Sequence, residues 1–352
     1  MLVTPDRIPG PEAFRGFVEG VQNLQEYLRT NASSRLEDAE EQFNESLAAD
    51  PDFVPSQYYK AIALTHARRA EEAIQILKGL NQEDVGFKIE VLYNLAFAYT
   101  KTYTYENVDL GLKAITDAEQ LAIEQQRVDL RLLAAALKAF VTSVFGSFLF
   151  KHPDDFVQRQ KKYLPEALSL AESVLSDPGL ESLEKETRLA VRVEANGAAG
   201  IALMYMGLYS ANFDESTDDY WQRAQSYYEA ALRLHPRNVR VLDDLATLQF
   251  FRLCRAIEQD RSDDAKVFAR EAQDTETRAI SYHQHDRFRF TLLARVLALM
   301  GEWDQAEVEA KRVLDEPGAI SDEDALKLID LIKKRDMAPI REKYRTQEKS
   351  MT

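Results

Sequence analysis

The chain has 352 residues, 45% of them hydrophobic, and a formal net charge of −15. This acidic balance predicts a protein that does not bind nucleic acid, because clustered Lys and Arg supply most of the affinity for the phosphate backbone, and it favours a basic partner. The single cysteine, Cys254, excludes an internal disulfide and is typical of a reducing compartment, so we expect a cytoplasmic protein.

Apolar residues recur at helical spacing along almost the whole chain, and we find no alternating pattern that would predict a strand. Turn segments containing proline, such as HPRN at 235–238, separate several of the helices. The predicted helices, in chain order, are 11–30, 34–49, 53–69, 71–80, 86–103, 106–125, 127–150, 157–176, 181–210, 216–234, 238–259, 262–277, 285–300, 303–316 and 321–335.

Two stretches bear on membrane association. The first residues, MLVTPDRIPGPEAF, lack the apolar run of a signal peptide. The uncharged stretch AFVTSVFGSFLF, residues 139–150, is twelve residues long, whereas a membrane span needs roughly 20. We therefore predict no membrane span and expect residues 139–150 to lie in a buried helix.

Four predicted helices share one residue pattern. They are AEEQFNESLAADP (39–51), ALSLAESVLSDP (167–178), AQSYYEAALRLHP (224–236) and AEVEAKRVLDEP (306–317). Each begins with Ala, carries a ring or small residue four positions on and a small or branched residue three further, and continues with Leu and a final Pro. These spacings place the side chains on one helix face, and the proline ends the helix.

Weaker copies of this pattern begin at Ala73, Ala114 and Ala265. The seven copies start at intervals of 34, 41, 53, 57, 41 and 41 residues. The first interval is that of a tetratricopeptide (TPR) repeat. The two longest intervals predict insertions or lengthened helices.

The sequence resembles the TPR family over about residues 34 to 318. The first helix of that repeat carries a large residue, then Leu, then Gly or Ala, then Tyr or another large residue. The best-matching stretch is FTLLARVLALMGEWDQAEVEA, which begins at Phe290, and LYNLAFAY matches from Leu92. LDDLATLQ matches from Leu242 but has the polar Gln249 at its last site. Around residues 125–165 and 180–222 the sequence matches the repeat pattern poorly.

The resemblance implies an all-α fold, a right-handed α-solenoid of about seven helical hairpins. We expect an N-terminal arm and helix at 1–33, the repeat array at 34–318, and a capping helix with a basic tail at 319–352. Such hairpins stack because one hairpin alone cannot bury its apolar face. The last twenty residues carry a net charge of +4 and are either a solvated helix end or a segment that docks on the acidic body or on a partner.

In this family the first helix of each hairpin lines a concave groove. Carried over by register, the resemblance places these residues toward the groove: Tyr58, Ile62, His66, Tyr93, Asn94, Phe97, Lys101, Asp243, Thr247, Phe250, Phe288, Thr291 and Arg295. Rings beside a few charges suit capture of a peptide. The alternative is that these rings belong to the core. Asn94 matches an asparagine that helps some family members clamp a terminal carboxylate, but the rest of that clamp cannot be assembled here.

Two polar segments could suggest a metal. FDESTDDYW, residues 213–221, is rich in carboxylates but lacks the glycine and glutamate of a calcium loop, and Ser216, Thr217 or Asp218 would cap the next helix. The two histidines of HQHD, residues 283–286, point in different directions on a helix, so they could not share one ion. We predict no metal and no cofactor.

Two further features are better explained by packing than by chemistry. NGAAG, residues 196–200, lies within a predicted helix and lacks the Lys-Ser/Thr of a phosphate loop, so close helix packing explains it better. Cys254 lies in an apolar stretch and is expected to be buried rather than nucleophilic.

These patterns favour a non-catalytic scaffold or adaptor that binds a protein or peptide segment in its groove. One alternative is a sensor, in which a peptide or small molecule changes the curvature of the stack. Another is an all-helical hydrolase with two carboxylates in a cleft, but no nucleophile–base pair or metal set supports that class.

Overall fold

The computed structural model describes residues 9–30, 32–83, 85–102, 104–147, 156–213, 216–282, 287–316, 320–336 and 338–340, and these residues form α-helices without any strand. The helices are α1 (Pro11–Thr30), α2 (Ser33–Ala49), α3 (Val54–His66), α4 (Ala70–Gln82), α5 (Lys88–Thr100), α6 (Tyr105–Glu124), α7 (Val128–Ser147), α8 (Phe156–Ser176), α9 (Lys185–Leu208), α10 (Thr217–Leu234), α11 (Val239–Glu258), α12 (Ser262–Tyr282), α13 (Arg287–Leu299), α14 (Trp303–Asp315) and α15 (Asp322–Lys333). Every predicted helix is present.

The largest differences from the prediction lie at α9 and α12. A helix was predicted from residue 181, but Pro178–Ser182 form a short 3₁₀ helix and α9 begins at Lys185. Helix α12 continues to Tyr282, five residues beyond its predicted end. Helix α9, with 24 residues, lies within the longest repeat interval, from Ala167 to Ala224, and is much longer than α3, α4 and α5, which have 13 residues each.

The shared alanine pattern marks a fully buried helix face. In α2, α8, α10 and α14, the first, fifth and eighth positions of the aligned stretches are at most 4% exposed. These positions are Ala39, Phe43, Ser46, Ala167, Ala171, Val174, Ala224, Tyr228, Ala231, Ala306, Ala310 and Val313. The repeated stretch is therefore a packing surface, because small residues let helices approach while the rings fill the remaining space.

Left-handed backbone closes five helix ends, at Arg335 after α15 and at four earlier residues, Arg68, Gln126, Asp260 and Gly301. The amide that follows each of these residues donates a hydrogen bond of 2.9 to 3.0 Å to a carbonyl five residues earlier in the chain. This arrangement satisfies carbonyl groups at the helix end and turns the chain back on itself. The turns after α3, α6, α11, α13 and α15 therefore have the same geometry.

The chain divides into two compact units, residues 1–150 with 166–198, and residues 151–165 with 199–352. In the N-terminal unit, successive helices pack in chain order from α1 to α7, and direct contacts also join α1 with α3, α3 with α5 and α5 with α7. The first helices of the hairpins thus form one layer, as in an α-solenoid. A separate apolar cluster joins α7, the end of α8, the 3₁₀ helix and the start of α9.

The first hairpin of this unit is α1 with α2, where two glycines allow close approach. A Cβ on Gly16 would lie 2.8 Å from the carbonyl oxygen of Gln42, and one on Gly20 would lie 2.6 Å from the Phe43 ring. Paired helices therefore begin at residue 11, ahead of residue 34, where the repeat-like sequence begins.

In the C-terminal unit, α10 to α15 pack in chain order, and α10 also packs against the end of α9. The Trp221 indole donates a 2.9 Å hydrogen bond to the carbonyl oxygen of Met204 across the α9–α10 hairpin. Helix α15 covers α14 with a buried stripe that includes Leu328 and Ile332. The hydroxyl of Ser321 accepts a hydrogen bond from the Asp324 amide at 3.1 Å, which confirms the predicted start of this helix.

The uncharged stretch predicted to be buried lies mostly in α7. Its residues from Ala139 to Ser147 are buried, with residues 148–150 outside the described part of the chain. Of the helices that the described residues form, none combines the length and apolar character of a transmembrane helix.

Candidate functional site

Seven predicted groove residues lie together in the N-terminal unit, six of them on α3 and α5 and the seventh, Lys101, directly after α5. The Asn94 amide donates to the Tyr58 hydroxyl at 2.7 Å, which ties the two helices together. The His66 ring lies 6.0 Å from the Phe97 ring, and the Lys101 ammonium lies 4.8 Å from the centre of that ring. We call the surface formed by Ile62, His66, Tyr93, Asn94, Phe97 and Lys101 the α3–α5 face.

Exposure separates Tyr58 from this face. Tyr58 is only 4% exposed and packs edge-on against Phe87, with 5.1 Å between the ring centres. Burial also raises the pKa of its hydroxyl well above the ordinary value. The six residues of the face are half-buried. Tyr58 is therefore a core residue that holds α3 and α5 in register, and the six others remain accessible.

The sequence prediction did not include Tyr27, which lies under His66. The Tyr27 and His66 rings are 5.6 Å apart and meet edge to face. Tyr27 is on α1, outside the stretch that resembles the repeat family, although it continues the buried stripe through Gly20 and Leu24. Helical spacing along α1 could have identified it. His66 is thus held between rings from α1 and α5.

Burial, with a smaller effect from the nearby Lys101 charge, lowers the pKa of His66 from 6.5 to about 4. Because the folded unit binds this proton less tightly than the unfolded chain, stability is complete above about pH 6.5 and falls as the pH drops toward about 4. We expect a loss of about 2 kcal/mol across this window, since each pKa unit corresponds to about 1.4 kcal/mol and His66 keeps some contact with solvent.

Urea denaturation of the wild type and His66→Gln at pH 7 and near pH 4.5 measures this contribution. The glutamine variant lacks the titrating group, so its loss of stability on acidification should be smaller by about 2 kcal/mol. Equal losses in the two proteins would show that His66 does not carry the effect.

In the C-terminal unit the predicted residues lie on α11 and α13. The Arg289 guanidinium donates two hydrogen bonds to the Asp243 carboxylate, at 2.8 and 2.9 Å, and only 6% of the Arg289 side chain is exposed. Asp243 is therefore committed to a buried ion pair. Arg289 was not predicted from the sequence, because its partner Asp243 lies 46 positions away in the chain.

The other predicted residues of this unit differ in exposure. Phe250 is 4% exposed and belongs to the core, whereas Phe288 is 42% exposed. Arg295 is half-buried, and burial lowers the pKa of its guanidinium. The hydroxyls of Thr247 and Thr291 each donate a 2.8 Å hydrogen bond to a carbonyl within their own helix. Phe288 is the most exposed of these side chains.

Comparison with solved structures gives similarity over nearly the whole chain. The apo form of the quorum sensor NprR from B. thuringiensis, a protein with TPR repeats, matches with a TM-score of 0.51 and 13% identity, covering 97% of this chain and 87% of NprR. This chain has a TPR-like fold. A TPR protein from Parabacteroides merdae is also similar, with a TM-score of 0.48 and 13% identity, covering 91% of this chain and 99% of that one. No family model and no curated protein matches the sequence.

Within the TPR-like fold, every predicted groove residue except Lys101, which directly follows α5, lies on the first helix of a hairpin. These helices are α3 and α5 in one unit and α11 and α13 in the other. The TPR register therefore predicted which helices carry these residues, and packing around each helix determines which of their side chains are accessible. Their role in a binding groove stays a prediction.

The predictions about other segments have mixed outcomes. Of the candidate caps in FDESTDDYW, Ser216 caps α10 by accepting a hydrogen bond from the Asp219 amide at 3.2 Å, and residues 214 and 215 lie outside the described part. HQHD also lies outside it. Among the described residues, no group of three His, Cys, Asp or Glu side chains is placed to hold a metal. Cys254 is buried on α11, as predicted.

Proposed function

We propose that this chain is a non-catalytic scaffold that binds a segment of another protein on the α3–α5 face. The observation that carries the proposal is the cluster of half-buried side chains around Phe97, which combines the Tyr93 and Phe97 rings with the Lys101 ammonium. Aromatic residues of this kind supply most of the free energy of many protein interfaces. A cytoplasmic location belongs to the same proposal, since the single cysteine is buried and forms no disulfide.

The α3–α5 face is also held rigidly, which lowers the entropic cost of binding. The hydrogen bond between Asn94 and Tyr58 joins the two helices, and the buried rings of Tyr27 and Phe87 support them from below. Tyr93 and Phe97 would bury apolar side chains of the bound segment. Lys101 would orient it by pairing with a carboxylate or a carbonyl group.

The test starts from peptides selected on the immobilised protein from a random library. We expect Lys101→Glu to weaken binding of the selected peptides at least tenfold, which is about 1.4 kcal/mol, because it reverses the charge beside Phe97. Tyr93→Ala should weaken it similarly by removing a half-buried ring. Fluorescence anisotropy of labelled peptides measures both dissociation constants.

Lys113→Glu is the matched control, because Lys113 is an exposed lysine on the second helix α6. It makes the same change in charge and should leave the affinity within about twofold. Selected peptides that bind all three variants like the wild type would refute the α3–α5 face as the binding surface. A selection that yields no peptide would refute the scaffold proposal.

A second candidate function is a sensor, in which a bound peptide or small molecule shifts the stacking of the helices. The fold shared with NprR over 97% of this chain favours it. Circular dichroism and small-angle scattering with a selected peptide separate the two functions. A scaffold keeps its dimensions on binding, whereas a sensor changes them.

A further inference from the structure

A cleft of about 570 Å³ lies between α10, α11 and α12 in the C-terminal unit. Its walls carry four carboxylates and two guanidiniums, so the charged lining has a net charge of −2. These six residues are Asp218, Glu229, Asp264, Glu271, Arg252 and Arg261. The cleft involves the second helices α10 and α12, and the α3–α5 face contributes nothing to it.

Both guanidiniums of the cleft are held by its own walls. Arg261 pairs with Asp264 at 3.0 Å. Arg252 donates a hydrogen bond to the Gln225 side chain, and its guanidinium carbon lies 4.1 Å from the centre of the Phe268 ring. Both guanidiniums contact groups of the cleft, although the buried Nε of Arg261 makes no hydrogen bond to the described residues. The four carboxylates outnumber these two positive groups, so the charge that the cleft offers to a ligand is negative.

Glu271 is the carboxylate that points most directly to a missing ligand. Its Oε2 atom is buried and accepts no hydrogen bond from any residue that the structure describes. A buried acceptor without a donor costs free energy, which a bound donor would recover. The Asp218 side chain is 60% exposed and extends the acidic lining toward solvent. Its Oδ1 atom lies 3.8 Å from the Nε atom of Arg255, which is long for an ion pair.

We propose that this cleft binds a Lys or Arg side chain from a basic segment of a partner protein. The ammonium or guanidinium donates to Glu271 Oε2 and lies near Asp218, and its alkyl stem packs against Phe268. The net charge of −2 favours a cationic ligand, the buried acceptor is satisfied by its N–H donors, and a cleft of this size holds one long side chain with its flanking backbone. The site is independent of binding at the α3–α5 face.

The chain has two tryptophans, and Trp221 lines the cleft, so Trp303→Phe leaves one fluorophore there. The probe is an acetylated and amidated peptide, Gly-Lys-Gly-Lys-Gly, carrying a dye at one end for anisotropy and unlabelled for tryptophan fluorescence. We expect saturable binding that changes Trp221 emission. The same peptide with both lysines acetylated should not bind, because it keeps the stems but lacks the charge.

Glu271→Gln preserves the shape of the side chain and should weaken binding about tenfold. Asp263→Asn is the control, since Asp263 is a 95% exposed carboxylate on the same helix outside the cleft, and its effect should be under twofold. Asp218→Asn changes a more exposed carboxylate than Glu271 and should weaken binding two- to threefold. It tests the same cleft independently if the Glu271→Gln variant folds poorly.

Three results would overturn the proposal. The first is no saturable binding of the lysine peptide, and the second is equal weakening by Glu271→Gln and Asp263→Asn, which would indicate a diffuse acidic surface. The third is binding of spermidine as tight as that of the peptide, which would identify a polyamine site instead. Lys101→Glu should leave lysine-peptide binding unchanged, so this test and that of the α3–α5 face can fail separately.

Discussion

Asp243→Asn is expected to lower the free energy of unfolding by about 3 to 4 kcal/mol, because it removes the carboxylate that neutralises a buried guanidinium. Arg289 has only 6% of its side chain exposed and donates two short hydrogen bonds to Asp243 through one planar fork. The asparagine can accept only one of these bonds and carries no charge. The Arg289 charge would then remain in a poorly solvated place without this carboxylate.

A double-mutant cycle separates the ion pair from its surroundings. Arg289→Met should cost less than Asp243→Asn, because Asp243 is 19% exposed and regains water when its partner is lost. The double variant should be more stable than the sum of the two single losses predicts, since neither charge of this pair is then left without the other. Urea denaturation followed by circular dichroism gives the four free energies.

Asp330→Asn is the matched control for this cycle. It removes one carboxylate from the exposed pair with Lys334, in which 57% and 66% of the side chains are exposed. Its effect should be close to the experimental error, because water replaces the lost partner. Simple additivity in the double variant would contradict the structural role of the Asp243–Arg289 pair.

Gly200→Ala is expected to destabilise the protein by about 3 kcal/mol, although alanine is the better helix former. A Cβ on Gly200 would lie 2.5 Å from the Tyr228 ring, and Tyr228 is fully buried between α9 and α10. The ring cannot move away without losing its place in the core. The added methyl group must therefore push the two helices apart.

Gly79→Ala, within α4, is expected to have the opposite effect on stability. A Cβ on Gly79 would meet nothing within 4 Å, so this substitution should stabilise the protein by about 0.5 to 1 kcal/mol through helix propensity. Thermal unfolding of the two variants beside the wild type should give melting temperatures that shift in opposite directions. A stabilising Gly200→Ala would mean that the α9–α10 contact is less close than the structure describes.

The Gly200→Ala variant also bears on the α9–α10 hairpin, where the repeat pattern was degenerate. The segment NGAAG, predicted to permit close helix packing, lies in α9. Its Gly200 allows this close packing against the Tyr228 ring of α10. Helix α8 contains Pro165, and α9 is much longer than the 13-residue helices of the N-terminal unit. Such departures hide a repeat from pattern matching while the hairpin itself still packs.

The amino-acid sequence alone determined the helices and the faces that they bury. Ala224, Tyr228 and Ala231 are all 0% exposed, as their spacing predicts. This prediction succeeds because residues at these spacings share one face of a single helix, and the apolar face is the one that a helix packs against its neighbours.

Only the tertiary structure decided which groove residues are accessible and how they are paired. Tyr58 and Phe250 are 4% exposed and Phe288 is 42% exposed, although all three occupy first helices with similar spacing. The Asp243–Arg289 pair joins residues 46 positions apart, and the cleft around Glu271 needs three helices at once. The physical reason is that a side chain's exposure and partners depend on neighbouring helices from distant parts of the chain, which periodicity within one helix does not encode.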